Sequence, residues 1–317
     1  MNQQQPGLVA VVSGGRSAER DRSLLSGNTA LESLNRQGYR TVFLDAADPD
    51  FIDRIRTSDV AFLAIAGQYA EDGKLQGLLE TLGVPYTGSG VMTSAIGMNK
   101  TMAKNVVAAA GVSVLPQALI PAQGESDAVA KAIADSIAFP AILKPQSEGG
   151  SVGMTVCHEI GELVETISAV DRSGTWLVEP FVTGTAVTAA VLESDGNHLV
   201  LPVLETLPTE AEFYDYATKR DKNLHRYRCP AELPEEITQQ ISAAALTAHQ
   251  ALGCTGYSRS DFMVSDDGAV VWLEANTLPG LSRSGNLATM AEAAGIDYDQ
   301  LIRMILATAD RTKGYRS

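Results

Sequence analysis

A hairpin pattern near the C-terminal end constrains the fold of this chain more than any other feature. Residues 259–280 are RSDFMVSDDGAVVWLEANTLPG, in which the cluster SDDG at 265–268 separates two apolar runs. Asp-Gly pairs flanked by apolar runs are typical of antiparallel β-hairpins. The sequence therefore predicts two paired strands joined by a tight turn at this cluster.

The polar side chains of this hairpin predict a magnesium-nucleotide site. A turn centred between the two aspartates of the cluster places Asp261 opposite Trp272 and Arg259 opposite Glu274. Because strand side chains alternate, Arg259, Asp261, Glu274 and Asn276 then share one face. Carboxylate and amide oxygens suit Mg²⁺, and unpaired acids are costly within apolar strands. The alternative is a solvated strand face in an acidic protein.

Length and charge narrow the class of protein. A chain of 317 residues exceeds a single core, so two or three packed units are expected. The net charge of −14, from 24 basic and 38 acidic residues, makes nucleic acid an unexpected partner. No apolar run approaches the length of a membrane span, and no membrane partner is expected.

Cysteines and histidines add little to the predicted site. The odd number of cysteines, 3, without metal-ligand spacing indicates a reducing compartment, and the N-terminus lacks a signal pattern, so a cytoplasmic location is predicted. The histidines show no ligand pairing in sequence, so they are assigned no role; they are His158, His198, His225 and His249.

Strands alternate with helices at the start of the chain. The apolar runs at 8–12, 41–44 and 60–65 are separated by helical stretches, the first of them at about 18–37. This alternation predicts a parallel sheet, with a ligand crevice at the carboxyl ends of its strands, where Glu19 falls. The glycines here do not form the dinucleotide fingerprint, which argues against a dehydrogenase.

Two later segments are candidate covers for a nucleotide. The glycine loop at 148–153 joins two strand-like runs, and its backbone N–H groups could contact phosphates. The alternative for this loop is a mobile, empty turn. A second hairpin turns at Asp195-Gly196, and the long polar segment at 208–233, which contains aromatic residues, is predicted to be a lid.

Together these segments resemble the ATP-grasp superfamily and, within it, the D-alanyl-D-alanine ligases. The resemblance covers almost the whole chain. It rests on GGRSAER at 14–20, GQYAEDGKLQG at 67–77, GVPYTGSGVMTSA at 83–95, MNK at 98–100, KPQSEGGSVGM at 144–154, FYDYATK at 213–219, and RSDFM and LEANTLPG within 259–280.

The resemblance implies an α/β ATP-grasp fold in three units. These are an N-terminal parallel-sheet domain at 1–96, a small central α+β domain at 97–184, and a C-terminal α+β domain with an antiparallel sheet at 185–317. It also implies a homodimer.

The resemblance implies an ATP-dependent ligase that joins two amino acids through an acyl phosphate. The nucleotide would be bound by Lys100, Lys144, Ser151, Glu179, Val182 and Lys219. Two Mg²⁺ ions, with Mn²⁺ as an alternative, would be held by Asp261, Glu274 and Asn276. Arg259 and the Gly280 N–H would stabilise the oxyanion, a role whose loss costs about 3 kcal/mol. Glu19 would bind the ammonium group of the first substrate.

Departures from the family pattern fall mainly in the amino-acid subsites and predict altered substrates. They are Ala66 in place of histidine, Gly150 in the glycine loop, Ala186 at the ribose position, Arg220 after the lid lysine, and Gly285-Asn286 where a Ser-Leu pair is expected. Arg220 is a candidate partner for an anionic substrate group, or else a lid salt bridge.

Three functions remain open on the sequence alone. The first is a ligase whose default product is D-alanyl-D-alanine, a peptidoglycan precursor. The second is a specialised ligase or cyclo-ligase of secondary metabolism. The third is a non-catalytic nucleotide-binding regulator, which the retained metal-binding and phosphate-binding residues disfavour.

Overall fold

A computed structural model describes residues 7–147, 153–194, 196–208 and 225–309 of the chain. Three sheets organise these residues. Within the described part of the chain, no helix is both long enough and apolar enough to span a bilayer.

The N-terminal sheet is parallel, as the alternation of strands and helices predicts. Its strands have the order β2-β1-β3, and all five residues of β1 are buried. Each strand leads into a helix that covers the sheet, the arrangement expected for buried apolar runs. The elements are β1 Val9–Ser13, α1 Arg20–Arg36, β2 Thr41–Asp45, α2 Phe51–Ile55, β3 Val60–Leu63 and α3 Lys74–Leu82.

The middle of the chain forms an antiparallel sheet with its own core. The strand order is β4-β7-β5-β6, and strands β5 and β6 are the two sides of the predicted glycine-loop hairpin. Helices α6 and α7 pack on this sheet in a separate hydrophobic cluster. The elements are α4 Val91–Met98, α5 Lys100–Ala109, β4 Ala118–Leu119, α6 Ser126–Ala134, β5 Ala141–Pro145, β6 Thr155–Cys157, α7 Ile160–Ala169 and β7 Trp176–Pro180.

The C-terminal part is built on a larger antiparallel sheet. Its strand order is β11-β10-β8-β12-β13, and β9 pairs with β8 through the hairpin predicted at 195–196. The elements are β8 Gly184–Ser194, β9 Asn197–Val200, β10 Leu204–Pro208, β11 His225–Arg228, α8 Glu235–Ala251, β12 Tyr257–Ser265, β13 Val270–Asn276, α9 Asn286–Ala293 and α10 Tyr298–Ala307.

The two faces of the C-terminal sheet pack against different partners. Ala190 and Leu192 of β8 belong to the core shared with the N-terminal sheet. Ala189 and Val191 belong to the core shared with α8. Because side chains alternate along a strand, a residue's position in β8 or β12 decides which core it faces. The face turned toward the N-terminal sheet carries the predicted site.

Candidate active site

The 257–276 hairpin has a different register from the one predicted. The backbone N–H of Ser265 donates to the Ala269 carbonyl at 3.0 Å, and Val264 pairs with Val270. The turn is therefore centred on Asp267, whereas the prediction centred it between Asp266 and Asp267. The Gly268 backbone takes a positive φ of 86°, which glycine tolerates. The predicted strand pairing is therefore wrong.

A β-bulge restores the shared face of ligands. Phe262 pairs with Trp272, and a regular ladder would then pair Asp261 with Leu273. Instead the register shifts between Asp261 and Phe262, and Asp261 pairs with Glu274. The extra residue, Leu273, thus turns Glu274 to the same face as Asp261. The four predicted residues therefore share one face of the hairpin because of the bulge, which the predicted turn did not include.

Asp261 is held in a fixed orientation by neighbouring side chains. The Arg259 guanidinium contacts both of its oxygens, with Nε to Oδ1 at 2.8 Å and a terminal nitrogen to Oδ2 at 3.0 Å. Thr188, its partner on β8, donates its hydroxyl to Oδ1 at 2.7 Å. A bidentate guanidinium and a hydroxyl together fix the plane of the carboxylate.

Glu274 and Asn276 continue the site along β13. Lys100 is 5% exposed in its side chain, and its Nζ lies 3.3 Å from Glu274 Oε2. Asn276 Oδ1 accepts the backbone N–H of Leu278 at 2.9 Å, which orders the first residues after the strand.

The loop after β13 presents Gly280 next to the N-terminal unit. The backbone N–H of Leu281 donates to Ser26 Oγ of α1 at 3.2 Å, and Gly280 itself is exposed. This hydrogen bond holds the loop against α1. It therefore fixes the backbone next to the Gly280 N–H, the predicted oxyanion donor.

A buried cluster of lysines lies behind this face. Lys104 and Lys144 both form ion pairs with Glu179, which is 1% exposed. Burial lowers the pKa of Lys104 to about 6, and the positive charges of Lys144 and Lys100 add to that effect. Glu179, predicted to meet adenine, thus has its carboxylate committed to two lysines.

The N-terminal sheet contributes two further carboxylates. Glu19 immediately precedes α1, and Glu71 is buried with Oε2 accepting the Gly67 backbone N–H at 2.5 Å. The pKa of Glu71 is raised to about 8, chiefly by burial and then by the charge of Glu19, while the Gly67 N–H and Arg259 oppose the rise. The loop after β13 bonds to α1, and its residues Leu278 and Leu281 belong to the core of the N-terminal sheet, so the two units face each other across one site.

The remaining predicted residues divide into two groups. Val182 lies half-buried in the link between β7 and β8. Ser151, Lys219 and Arg220 lie outside the described residues, together with Gly150 and much of the predicted lid.

Three residues that the sequence reasoning did not assign join the site. Glu71 lies within the GQYAEDG segment that carries part of the family resemblance, and its burial has no signal in the local sequence. Lys104 follows Lys100 by one helical turn, a spacing that puts both on one face. Thr188 is the polar residue within the otherwise apolar stretch 186–192 of β8, which is a weak signal by itself.

The donor set fits Mg²⁺. Asp261 and Glu274 are directly paired across adjacent strands, and Asn276 follows Glu274 on the same face. Both carboxylates are partly exposed, at 21% and 27%, so a hydrated cation can reach them. Hard oxygen donors without sulfur or imidazole match the preference of this ion.

Family models match the chain in both halves. The model described as D-ala D-ala ligase C-terminus matches residues 106–307, and the one described as D-ala D-ala ligase N-terminus matches residues 45–89. A curated D-alanine–D-alanine ligase from Geotalea uraniireducens (strain Rf4) is 39% identical over 304 residues, which cover 95% of each chain.

Solved structures agree with these matches. The D-alanine–D-alanine ligase from Bacillus anthracis complexed with ATP superposes with a TM-score of 0.81 and 31% identity, covering 96% of this chain and 97% of that chain. The VanG D-Ala:D-Ser ligase from Enterococcus faecalis gives a TM-score of 0.80 and 26% identity, covering 96% and 99%. The fold is therefore the ATP-grasp fold that the sequence resemblance implies.

Proposed function

The chain belongs to the D-alanine–D-alanine ligase family and is an ATP-dependent ligase, and we propose that it joins two molecules of D-alanine into D-alanyl-D-alanine. This product would serve the synthesis of peptidoglycan precursors. The paired carboxylates of the bulged hairpin are the observation that carries the proposal, because they give a phosphoryl-transfer site its metal ligands on the face turned toward the N-terminal unit.

The reaction begins by activating a carboxylate, which by itself resists attack by an amine. A carboxylate oxygen of the first D-alanine attacks the γ-phosphorus of ATP, ADP leaves, and an acyl phosphate forms. The amine of the second D-alanine then attacks the acyl carbon. The tetrahedral intermediate expels phosphate, and the amine proton passes to solvent.

Residues of the hairpin bind and orient the reacting groups. Asp261, Glu274 and Asn276 would hold two Mg²⁺ ions, and these ions supply neutralisation of the charge on the transferring phosphoryl group. Arg259, fixed by its two contacts to Asp261, and the Gly280 N–H stabilise the oxyanion of the tetrahedral intermediate.

Basic and acidic residues of the other two units complete the site. Lys100 and Lys144 contact ATP phosphates, each exchanging its present carboxylate partner for phosphate oxygens. Glu179 and the backbone at Val182 border the adenine subsite. Glu19 binds the ammonium group of the first D-alanine.

Product analysis with matched hairpin variants tests this function. The protein is incubated with Mg-ATP and D-alanine, and ADP and the dipeptide are measured together. We expect one D-alanyl-D-alanine per ADP for wild type and for Asp267→Asn, which changes only the exposed turn. Asp261→Asn should lower both yields at least about 100-fold, since metal binding and Arg259 are disturbed together. No dipeptide from wild type would refute the proposal.

A second candidate is a ligase with a different second amino acid. Ala66 supports this candidate, because its methyl side chain cannot form a hydrogen bond to a substrate. Its backbone N–H donates to Ser23 Oγ at 2.9 Å, and its carbonyl accepts the Ser17 hydroxyl at 3.0 Å. The family usually has a histidine side chain at this position. Competition between D-alanine and a panel of D- and L-amino acids, read by product mass, separates the two candidates.

The compartment, the oligomeric state and the choice of metal ion are proposed on separate grounds. Its three cysteines are free thiols, and two of them are buried, which supports a reducing compartment and hence the cytoplasm. A homodimer follows from the family resemblance, and light scattering at several concentrations tests it. Replacement of Mg²⁺ by Mn²⁺ in the ADP assay tests whether the second ion also supports turnover.

A further inference from the structure

A second group of metal-ligand side chains lies away from the ATP site. Glu193 at the end of β8, His198 of β9 and His249 near the end of α8 bring one ligand atom each to a common point, all within 4.8 Å of one another. The spacing of histidines along the chain predicts no such pair, and the fold corrects that expectation by folding the β8–β9 hairpin against α8.

The distances suit a tetrahedral ion better than hydrogen bonds. Glu193 Oε1 lies 3.6 Å from His198 Nε2 and 3.7 Å from His249 Nε2. Both separations exceed hydrogen-bond length. An ion with bonds of about 2.0–2.1 Å to nitrogen and oxygen needs ligand–ligand separations of roughly 3.4 Å in a tetrahedron. Both carboxylate–imidazole separations lie within a few tenths of an ångström of this value, and the ligand nitrogens of the two histidines lie within 4.8 Å of each other.

His249 offers a buried nitrogen without a hydrogen bond among the described residues. Its side chain is 0% exposed, and its Nε2 makes no hydrogen bond among the described residues. Buried polar atoms of this kind are uncommon and call for a ligand, an ion or a water. The unpartnered atom is the one that points toward Glu193 and His198.

The outer contacts of the ligands are already in place. His249 Nδ1 lies 2.7 Å from Ser258 Oγ, and donation from Nδ1 leaves the Nε2 lone pair available for a metal. Glu193 Oε2 accepts the Gly256 backbone N–H at 2.8 Å, which leaves Oε1 for the same point. Such supporting hydrogen bonds are characteristic of histidine and carboxylate metal sites.

This group is separate from the proposed Mg²⁺ site. Ser258 and Glu193 lie on the strand face turned toward α8, whereas Asp261 and Thr188 lie on the opposite face. Glu193 and Thr188 are five positions apart in β8, or about 16 Å along the strand. The partial exposure of His198 (32%) and Glu193 (27%) leaves a route for an ion and room for a water as fourth ligand.

We propose that Glu193, His198 and His249 bind a divalent transition-metal ion, Zn²⁺ in preference to Mg²⁺, which ties the β8–β9 hairpin to α8. Two imidazoles and one carboxylate suit Zn²⁺, whereas Mg²⁺ favours oxygen ligands alone. The ion has a structural role, because it braces the back of the sheet whose other face holds the catalytic carboxylates.

Zinc titration in excess Mg²⁺ tests the site. Chelator-treated protein is titrated calorimetrically with Zn²⁺ while Mg²⁺ saturates the carboxylates of the hairpin. We expect one equivalent to bind to wild type and to His158→Gln, which changes an exposed histidine elsewhere. At 100 times the dissociation constant, the unfolding midpoint of the 317-residue chain should rise by about 4 °C.

Variants locate the binding. His198→Gln should abolish both the heat of binding and the rise in midpoint while leaving ligase turnover unchanged, and Ser258→Ala should weaken Zn²⁺ roughly 10- to 100-fold. Asp261→Asn should retain the site. Cobalt-loaded wild type should give the visible absorption of tetrahedral Co²⁺, and His198→Gln should not. Absence of stoichiometric binding to wild type, or unchanged binding by His198→Gln, would overturn the proposal.

Discussion

Replacing Glu71 with glutamine is expected to remove a pH dependence from the stability of the fold. Glu71 is 8% exposed, and the pKa of its carboxyl is raised from 4.5 to about 8 by burial and by the charge of Glu19. The folded protein therefore holds a proton at this site through a pH range in which the unfolded chain releases it. Glutamine keeps the size of the side chain and carries no titratable proton.

The sign and size of the effect follow from proton linkage. Between pH 4.5 and 8 the native state binds more protons than the unfolded state, so the free energy of unfolding falls as pH rises. The contribution is fully present below the unfolded pKa and is lost as the pH approaches the folded pKa. At about 1.4 kcal/mol per unit, the Glu71 contribution should fall by roughly 3 kcal/mol between pH 5 and pH 8.

Urea unfolding of wild type and Glu71→Gln at several pH values measures this contribution as a difference. The two free energies should converge at pH 5 if glutamine makes the same contacts, and the variant should become relatively more stable toward pH 8. Glu165→Gln, at an exposed position, is the matched control and should follow wild type. Parallel curves for wild type and Glu71→Gln would show that Glu71 is ionised in the fold, and would refute the reasoning.

Two other substitutions and one deletion test the packing of the site. Glu179→Gln removes the carboxylate that pairs with two buried lysines, Lys104 and Lys144, and should destabilise the described fold by about 3–5 kcal/mol in urea unfolding. Thr188→Val removes the hydroxyl donated to Asp261 and should raise the Mg²⁺ concentration for half-maximal ADP release about tenfold, a loss of about 1.5 kcal/mol. Deletion of Leu273 removes the bulge but leaves Glu274 opposite Asp261 in a regular ladder, so turnover and far-UV circular dichroism should both be largely retained.

Local patterns were sufficient to predict the parallel sheet and the two C-terminal hairpins. The alternation of apolar strands and helices at the N-terminus predicted the parallel sheet, and the Asp-Gly pairs predicted both C-terminal hairpins. These features depend on short stretches of sequence, where periodicity and turn chemistry act directly.

Pairing across the hairpin was harder to predict. The bulge at Leu273 has no sequence signature. Its free energy depends on how Trp272 and Phe262 pack in the core shared with α8, which is a tertiary contact. The predicted ligands still share a face because the pairing is shifted by one residue at the turn and by one more at the bulge. Two one-residue shifts leave each side chain on its predicted side of the strand.

Long-range contacts account for the residues that were missed. The raised pKa of Glu71 depends on its burial beside a second unit, and the pairing of His198 with His249 depends on the packing of a hairpin against a distant helix. Neither arrangement leaves a local spacing in the sequence. Both become visible only when the three sheets are assembled.

Isotope transfer tests the central claim, acyl-phosphate chemistry at the bulged hairpin, most directly. D-Alanine labelled with ¹⁸O in both carboxylate oxygens is incubated with the enzyme and Mg-ATP, and the phosphate and dipeptide are examined by mass spectrometry. Attack of the carboxylate on the γ-phosphorus predicts one ¹⁸O in each phosphate released, while the other ¹⁸O of that carboxylate stays in the new amide carbonyl. Dipeptide formed with unlabelled phosphate, or with label in AMP, would contradict the account.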